Sequence, residues 1–294
     1  WWEGYTISGS AAGQRYSPLM FSDQGLLEAL KVLKQLVTGR NGKSYMHPYS
    51  NTNNFTQVQN YFLEPNKNKG EAEVMMMPNG AWLAREMEEN YAADEVNVEF
   101  IRMPIVSALG TKLGITDREL SAIVDWIDDG AQVGSEPTFT STNGTAKADV
   151  LDAVIDARRI NPAFDSYNAC IPAYSNHVDL AKEFLQLIAT DRGIEAMLRK
   201  CGSMAGYEYD IANSPVKDEL SDFMYSVNVL AQEGFCFSHR NDLFTYGGVY
   251  PINTGSSPTF TFATTDTTAE AFFKSNYDYT SENWSAYMSL AGLA

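Results

Sequence analysis

GEAEVMMMPNGAWLAREMEEN, residues 70–90, decides how the rest of the chain is read. It opens polar, Gly70-Glu71-Ala72-Glu73, and runs into an apolar segment, Val74, Met75, Met76 and Met77. Pro78, Asn79 and Gly80 break the chain, and a helical pattern starts at once with Trp82 in its first turn. A short buried strand ending in a tight turn and a helix start is where α/β proteins place their ligands, outside the carboxyl ends of the strands. This stretch therefore predicts an α/β fold with Trp82 as a stacking platform. The alternative is an indole packed under the helix, because Trp is usually highly buried.

On the amino-terminal side, residues 1–21 mix aromatics with Gly and Ser and read as a short strand or turn followed by a loop. Trp1, Trp2 and Tyr5 form either an aromatic face or a core cluster. Residues 22–38 give the clearest helix. Ser22 or Asp23 caps it, Leu26, Leu27, Leu30, Leu33 and Val37 make a core stripe, and Gly39 ends it. A polar loop holding His47-Pro48 follows, then a short amphipathic helix at 55–63 with Phe55, Val58, Gln59 and Phe62.

On the carboxyl side, 81–91 reads as a helix, and 96–101 alternates Val96, Val98 and Phe100 as a strand does. Residues 117–128 predict a capped helix with Leu120, Ile123, Val124 and Ile127 on one side. A Gly-, Ser- and Thr-rich loop (130–143) and a helix (148–158) precede a further strand, SYNACIPAY, at 166–174. Helices follow at 179–190, with Leu180, Phe184, Leu185, Leu187 and Ile188 on its apolar side, at 192–200 and at 218–232. Residues 245–262 read as irregular, and 267–291 as two short helices with Tyr277–Tyr279 between them. No repeat of solenoid period occurs. Helices alternating with single strands point to α/β layers.

A chain of 294 residues, 44% hydrophobic and 20% charged, is long enough for two domains. Its 21 Lys and Arg stand against 37 Asp and Glu, a net charge of -16 spread without blocks. That balance argues against a nucleic-acid backbone or an anionic membrane surface as partner. No apolar run approaches a membrane span. The chain opens on Trp1-Trp2-Glu3 without an initiator Met or signal peptide, which is expected of a processed or truncated chain. Cys170, Cys201 and Cys236 form no C-x-x-C and are expected to be free, buried thiols.

Motifs for catalysis are lacking: no G-x-S-x-G elbow, no H-E-x-x-H, no phosphate-binding glycine loop. His47, His177 and His239 sit in polar loops and read as surface residues. Glu71 and Glu73 share one face of the expected strand and read as solvated. Asp125, Asp128 and Asp129 around Trp126 lack the residue order of a calcium loop. The 5 Trp, 16 Tyr and 15 Phe say more, since many lie beside turn residues. Ring faces there suit sugars: the C–H face of a pyranose stacks on an indole or phenol while carboxylates and amides bond its hydroxyls. Such a site needs no metal, cofactor or nucleophile. Most of the rings must nonetheless fill ordinary cores.

Two segments together resemble the extracellular solute-binding proteins of bacterial ABC importers, in their carbohydrate-binding branch. The first is Gly70-Glu71-Ala72-Glu73-Val74-Met75 followed by Pro78-Asn79-Gly80-Ala81-Trp82. The second is Ile171-Pro172-Ala173-Tyr174-Ser175-Asn176 with Ala181-Lys182-Glu183-Phe184-Leu185 and Ala189-Thr190-Asp191. Met103-Pro104 is similar to the family's proline at a lobe crossover. The resemblance covers most of residues 1–202. It implies a periplasmic-binding-protein-like (type II) α/β fold, two lobes around a cleft, with the amino-terminal lobe incomplete. Residues 1–102 would belong mainly to the carboxyl-terminal lobe, 103–200 would return to the amino-terminal lobe, and 201–294 would complete the former.

The implied activity is binding without chemistry: a mono- or oligosaccharide captured by hinge closure and delivered to the permease subunits of an ABC transporter, with no cofactor or metal. A monomeric extracellular lipoprotein or periplasmic protein is the implied setting. Trp82, Asn79 and Gly80 match the family's turn and cleft Trp. Trp1, Trp2 and Tyr5 resemble an aromatic stretch midway through such receptors, and Tyr167, Tyr246 and Trp284 join them on aromatic context alone. The competing readings are a glycan-acting enzyme, which needs two carboxylates facing each other across a cleft, and a carbohydrate-binding surface module.

Overall fold

A computed structural model of the chain describes residues 18–50, 52–67, 74–88, 90–91, 98–163, 169–202, 207–238 and 257–290. Helices dominate them. In chain order α1 is Gln24–Thr38, α2 Phe55–Lys67, α3 Leu83–Glu86, α4 Ser107–Leu113, α5 Asp117–Asp128 and α6 Lys147–Arg159. There follow α7 (Val178–Ile188), α8 (Asp191–Cys201), α9 (Asp222–Glu233), α10 (Pro258–Thr264), α11 (Ala269–Glu282) and α12 (Trp284–Leu290). Two strands, β1 (Ile160–Ala163) and β2 (Phe235–Ser238), pair in parallel, from Ile160 opposite Phe235 to Ala163 opposite Ser238.

The expected α/β architecture is overturned. A type II binding-protein lobe is a many-stranded sheet flanked by helices, whereas among the described residues helices dominate and the one sheet is this two-stranded ladder. The three predicted strands are not strands where they are described. At 98–101 the alternation is real, but its partner is a helix. The Phe100 N–H donates to Ser226 Oγ on α9 at 3.1 Å, and the Phe100 ring meets Phe223 edge-on at 6.0 Å. Of the Val74–Met77 run, Met77 packs inward while Met75 and Met76 are 85% and 71% exposed. At 169–174 a turn intervenes, the Ser175 N–H donating to the Pro172 carbonyl at 3.0 Å. Residues 70–73, 96–97 and 166–168 lie outside the described residues. Cys170 and Cys201 are free as expected but exposed rather than buried, one in that irregular segment and one at the end of α8.

The chain divides into two units, one joining Trp1–Asn53 to Arg240–Ala294, the other Asn54–His239. In the first, Asp23 caps α1 by accepting from the Gly25 N–H at 2.7 Å. The stripe read from sequence buries Leu30 and Val37 against Phe262, Ala269 and Phe272 of α10 and α11. Lys34 donates to the Thr267 carbonyl at 2.6 Å and spans the Phe262 ring. Gly39 ends α1 at φ 65°, and a Cβ there would fall 1.6 Å from the Lys43 carbonyl oxygen, so the chain can fold back only over glycine.

In the second unit, α4, α5 and α6 enclose Leu109, Leu113, Ile123, Val150 and Val154. Thr116 and Glu119 form a capping box at the start of α5. Residues 141–145 close over the end of α4, where Asn143 Nδ2 donates to the Lys112 carbonyl at 2.9 Å. Helix α8 packs Ile194 and Leu198 on Ile211 and Val216. Helix α3 inserts Leu83 and Met87 between Leu63 of α2 and Phe223, Met224 and Val227 of α9, and this cluster holds the turn before α3 in place.

Candidate functional site

The turn is built from its sequence. Pro78 leaves the chain extended, and the Asn79 side chain folds back so that its Oδ1 accepts the Gly80 N–H at 2.7 Å. The Gly80 carbonyl then accepts from Leu83 at 3.2 Å, and α3 begins. The indole of Trp82 lies against Gly80: a Cβ at Gly80 would sit 2.3 Å from the ring carbon Cζ3. Glycine is what lets the ring approach the backbone this closely. Leu83 and Met87, 4% and 1% exposed, anchor the helix, while Trp82 is 46% exposed. The ring therefore lies against Gly80 beside an anchored helix, and part of Trp82 is accessible to solvent. Helix α3 is shorter than the predicted 81–91, continuing as turns in which Asn90 and Tyr91 both donate to the Met87 carbonyl at 2.9 Å.

One turn further along, the Glu86 N–H donates to the Trp82 carbonyl at 2.9 Å. The Glu86 carboxylate is held from outside its own helix. Gln59 Nε2 on α2 donates to Glu86 Oε2 at 2.6 Å, and Gln59 is itself 2% exposed. Arg85, its neighbour, is engaged by Glu88. Neither Gln59 nor Glu86 was among the candidates from sequence. A signal for the first existed: an amide within the otherwise apolar stripe of Phe55, Val58 and Phe62 demands a buried hydrogen-bond partner. Glu86 was findable only as the residue four beyond Trp82.

Asn79, Gly80 and Trp82 thus come together in one turn. Trp284 belongs to the other unit, where its ring meets Phe21 edge-on at 6.4 Å. Trp1, Trp2, Tyr5, Tyr167 and Tyr246 lie outside the described residues, as do Glu71, Glu73 and His239. His47 Nδ1 accepts the Tyr49 N–H at 3.3 Å, and His177 precedes α7. Asp128 is engaged by Arg158 at 2.7 and 3.0 Å, and that guanidinium also donates to the Met103 carbonyl at 2.9 Å. Among the described residues no three His, Cys, Asp or Glu are grouped to hold a metal ion. No helix among them is long and apolar enough to cross a membrane. No family model matches this chain, and no curated protein or solved structure does.

Proposed function

We propose that this chain is the sugar-capturing subunit of a bacterial importer, holding a mono- or oligosaccharide on the outer side of the membrane for an ABC permease. The observation that carries the reading is Trp82, an indole 46% exposed on a helix whose next residue, Leu83, is buried. A ring already held in place stacks on the C–H face of a pyranose with little further loss of side-chain freedom. Glu86, one helical turn further along and held by Gln59, supplies the kind of group that bonds hydroxyls. The likeness of residues 70–82 and 171–191 to sugar-binding receptors supports the same reading. The proposal rests on this turn and requires no sheet behind it.

Calorimetric titration with a panel of mono- and oligosaccharides tests it. Trp82→Ala should remain folded and lose about 1–3 kcal/mol of affinity for any sugar that the parent chain binds. Gly80→Ala should weaken the same sugar, because the added methyl displaces the indole rather than the backbone. Failure of every sugar to bind, or full affinity in a folded Trp82→Ala chain, would sink the reading.

A further inference from the structure

The dipeptide Asn-Gly occurs at Asn41-Gly42, Asn79-Gly80 and Asn143-Gly144, and the fold holds each of the three differently. Asn-Gly is chemically reactive on its own account. Glycine has no Cβ to shield its backbone nitrogen, so that nitrogen can close on the preceding side-chain amide and form a five-membered cyclic imide. Ring closure needs a side chain free to turn, a backbone nitrogen not engaged elsewhere, and room for the ring.

At Asn143 the amide is fixed at both ends. Its Nδ2 donates to the Lys112 carbonyl at 2.9 Å, and its Oδ1 accepts from Ser141 Oγ at 2.6 Å, from the Thr145 N–H at 3.1 Å and from Thr145 Oγ1 at 2.6 Å. At Asn79 the Gly80 N–H already donates to Oδ1, and the Trp82 indole crowds Gly80. Asn41 and Gly42 instead form the tip of a two-residue turn. Arg40 and Lys43 close it by exchanging backbone hydrogen bonds at 3.0 and 3.1 Å. Both tip residues have positive φ, 56° and 75°, the conformation of the tight hairpin turn that Asn-Gly favours. Both are exposed. Apart from its chain neighbours, no atom lies within 4 Å of where a Cβ of Gly42 would stand. Among the described residues, neither the Asn41 side chain nor the Gly42 N–H has a hydrogen-bond partner.

We propose that Asn41 is a site of spontaneous covalent modification, converting to aspartate and isoaspartate while the fold spares Asn79 and Asn143. The Gly42 nitrogen bonds to Asn41 Cγ as the Cγ–Nδ2 bond breaks, and the proton of that nitrogen leaves with Nδ2 as ammonia. Water then opens the imide at one of its two carbonyls. Opening at Cγ leaves aspartate, and opening at the main-chain carbonyl leaves isoaspartate, with one more carbon in the main chain. Nothing is oxidised or reduced, and water is the one co-reactant. Each conversion adds one negative charge to a chain whose net charge is -16. The proposal is independent of the sugar-capture reading.

The test incubates the whole chain at mildly alkaline pH, folded in buffer and unfolded in guanidinium chloride, with samples taken over weeks. Cleavage after glutamate puts the three dipeptides on separate peptides, and mass spectrometry with electron-transfer fragmentation locates each new acid and tells its two isomers apart. In the folded chain Asn41 should convert at least about tenfold faster than Asn79 or Asn143, the ratio expected when the other two must first break one or two hydrogen bonds. In guanidinium the three should convert at similar rates. Asn41→Gln, whose longer side chain closes the ring far more slowly, should show no acid at that position and an otherwise unchanged map. Conversion of Asn79 or Asn143 as fast as Asn41 in the folded chain would overturn the proposal, as would an Asn41 that converts in guanidinium but not when folded. A tenfold lead for Asn41 that persists in guanidinium would overturn it too, since flanking sequence rather than the fold would then select the site.

Discussion

Along α5, Leu120, Ile123 and Ile127 recur on one face; along α7, Leu180, Phe184 and Leu187 do the same. In α5 the stripe is sealed, with Ile123 at 0% exposure and Val150 and Val154 of α6 closing over it. In α7 no residue is buried, and the three side chains are 64%, 59% and 54% exposed. Helix α7 lies beside α8 and carries a second stripe, Val178, Ala181, Leu185 and Ile188, which is half-buried. It thus carries two apolar stripes where α5 carries one, and the described residues bury neither fully. Helical period identifies the apolar side of a helix, but burial requires a second layer, and that layer comes from distant sequence.

The contrast can be broken by mutation. Ile123→Ala should cost about 2–5 kcal/mol in chemical denaturation, since α4 and α6 are packed around that side chain. A loss below about 1 kcal/mol would mean the cluster is loosely packed and the two helices differ little. Removing the cap of α5 is a smaller perturbation: Thr116→Ala should cost about 1 kcal/mol. The same cap carries a pH signature. The Glu119 carboxyl is held below its ordinary range by hydrogen bonds from the Thr116 backbone and hydroxyl and the Thr140 N–H. Its pKa is lowered on folding, so its contribution is full above the unfolded value and is lost as pH falls through the folded one. Parent and Glu119→Gln should therefore differ most in melting temperature at neutral pH and converge on acidification below the ordinary carboxylate range. A gap independent of pH would assign the effect to shape alone. Smallest of all, Phe184→Ser on α7 should change stability by no more than about 0.5 kcal/mol. A loss above about 2 kcal/mol would show that the face is covered.

Helices were the legible part of this fold. The 117–128 helix was read to the residue, because Thr116 and Glu119 announce its start and its apolar positions keep one period. Helices α1, α6, α7 and α8 fall within one or two residues of expectation for similar reasons. Helix α2 runs past its expected end at residue 63 to Lys67 and takes Pro65 within it. Helices α4 and α10 went unread: Ser107–Leu113 has too few turns to show a period, and Pro258 opens α10 inside a stretch that looked irregular. At the carboxyl end the break falls at Asn283, not at Tyr277–Tyr279, which lie within α11.

Strands misled for one physical reason. Alternation at Val98 and Phe100 reports a chain with one side inward, and a helix satisfies that as well as a sheet does. The ladder that does form, β1 with β2, joins INPA to FCFS, neither of which alternates cleanly. At the candidate site, Asn79, Gly80 and Trp82 were visible as a turn. The Gln59–Glu86 bond was not, because it spans 27 residues and depends on how α2 and α3 pack.

The first unit takes its helices from both sides of a long intervening segment. Lys34 and Thr267, which bond within it, stand 233 residues apart. During synthesis α1 leaves the ribosome before α10 and α11 exist, whereas α4, α5 and α6 can close on one another within some fifty residues of chain. Leu30 and Val37 must wait in water, or in the hold of a chaperone, until Phe262 and Phe272 have been made. For α1, then, completion of the fold is timed by the synthesis of α10 and α11, more than 200 residues later.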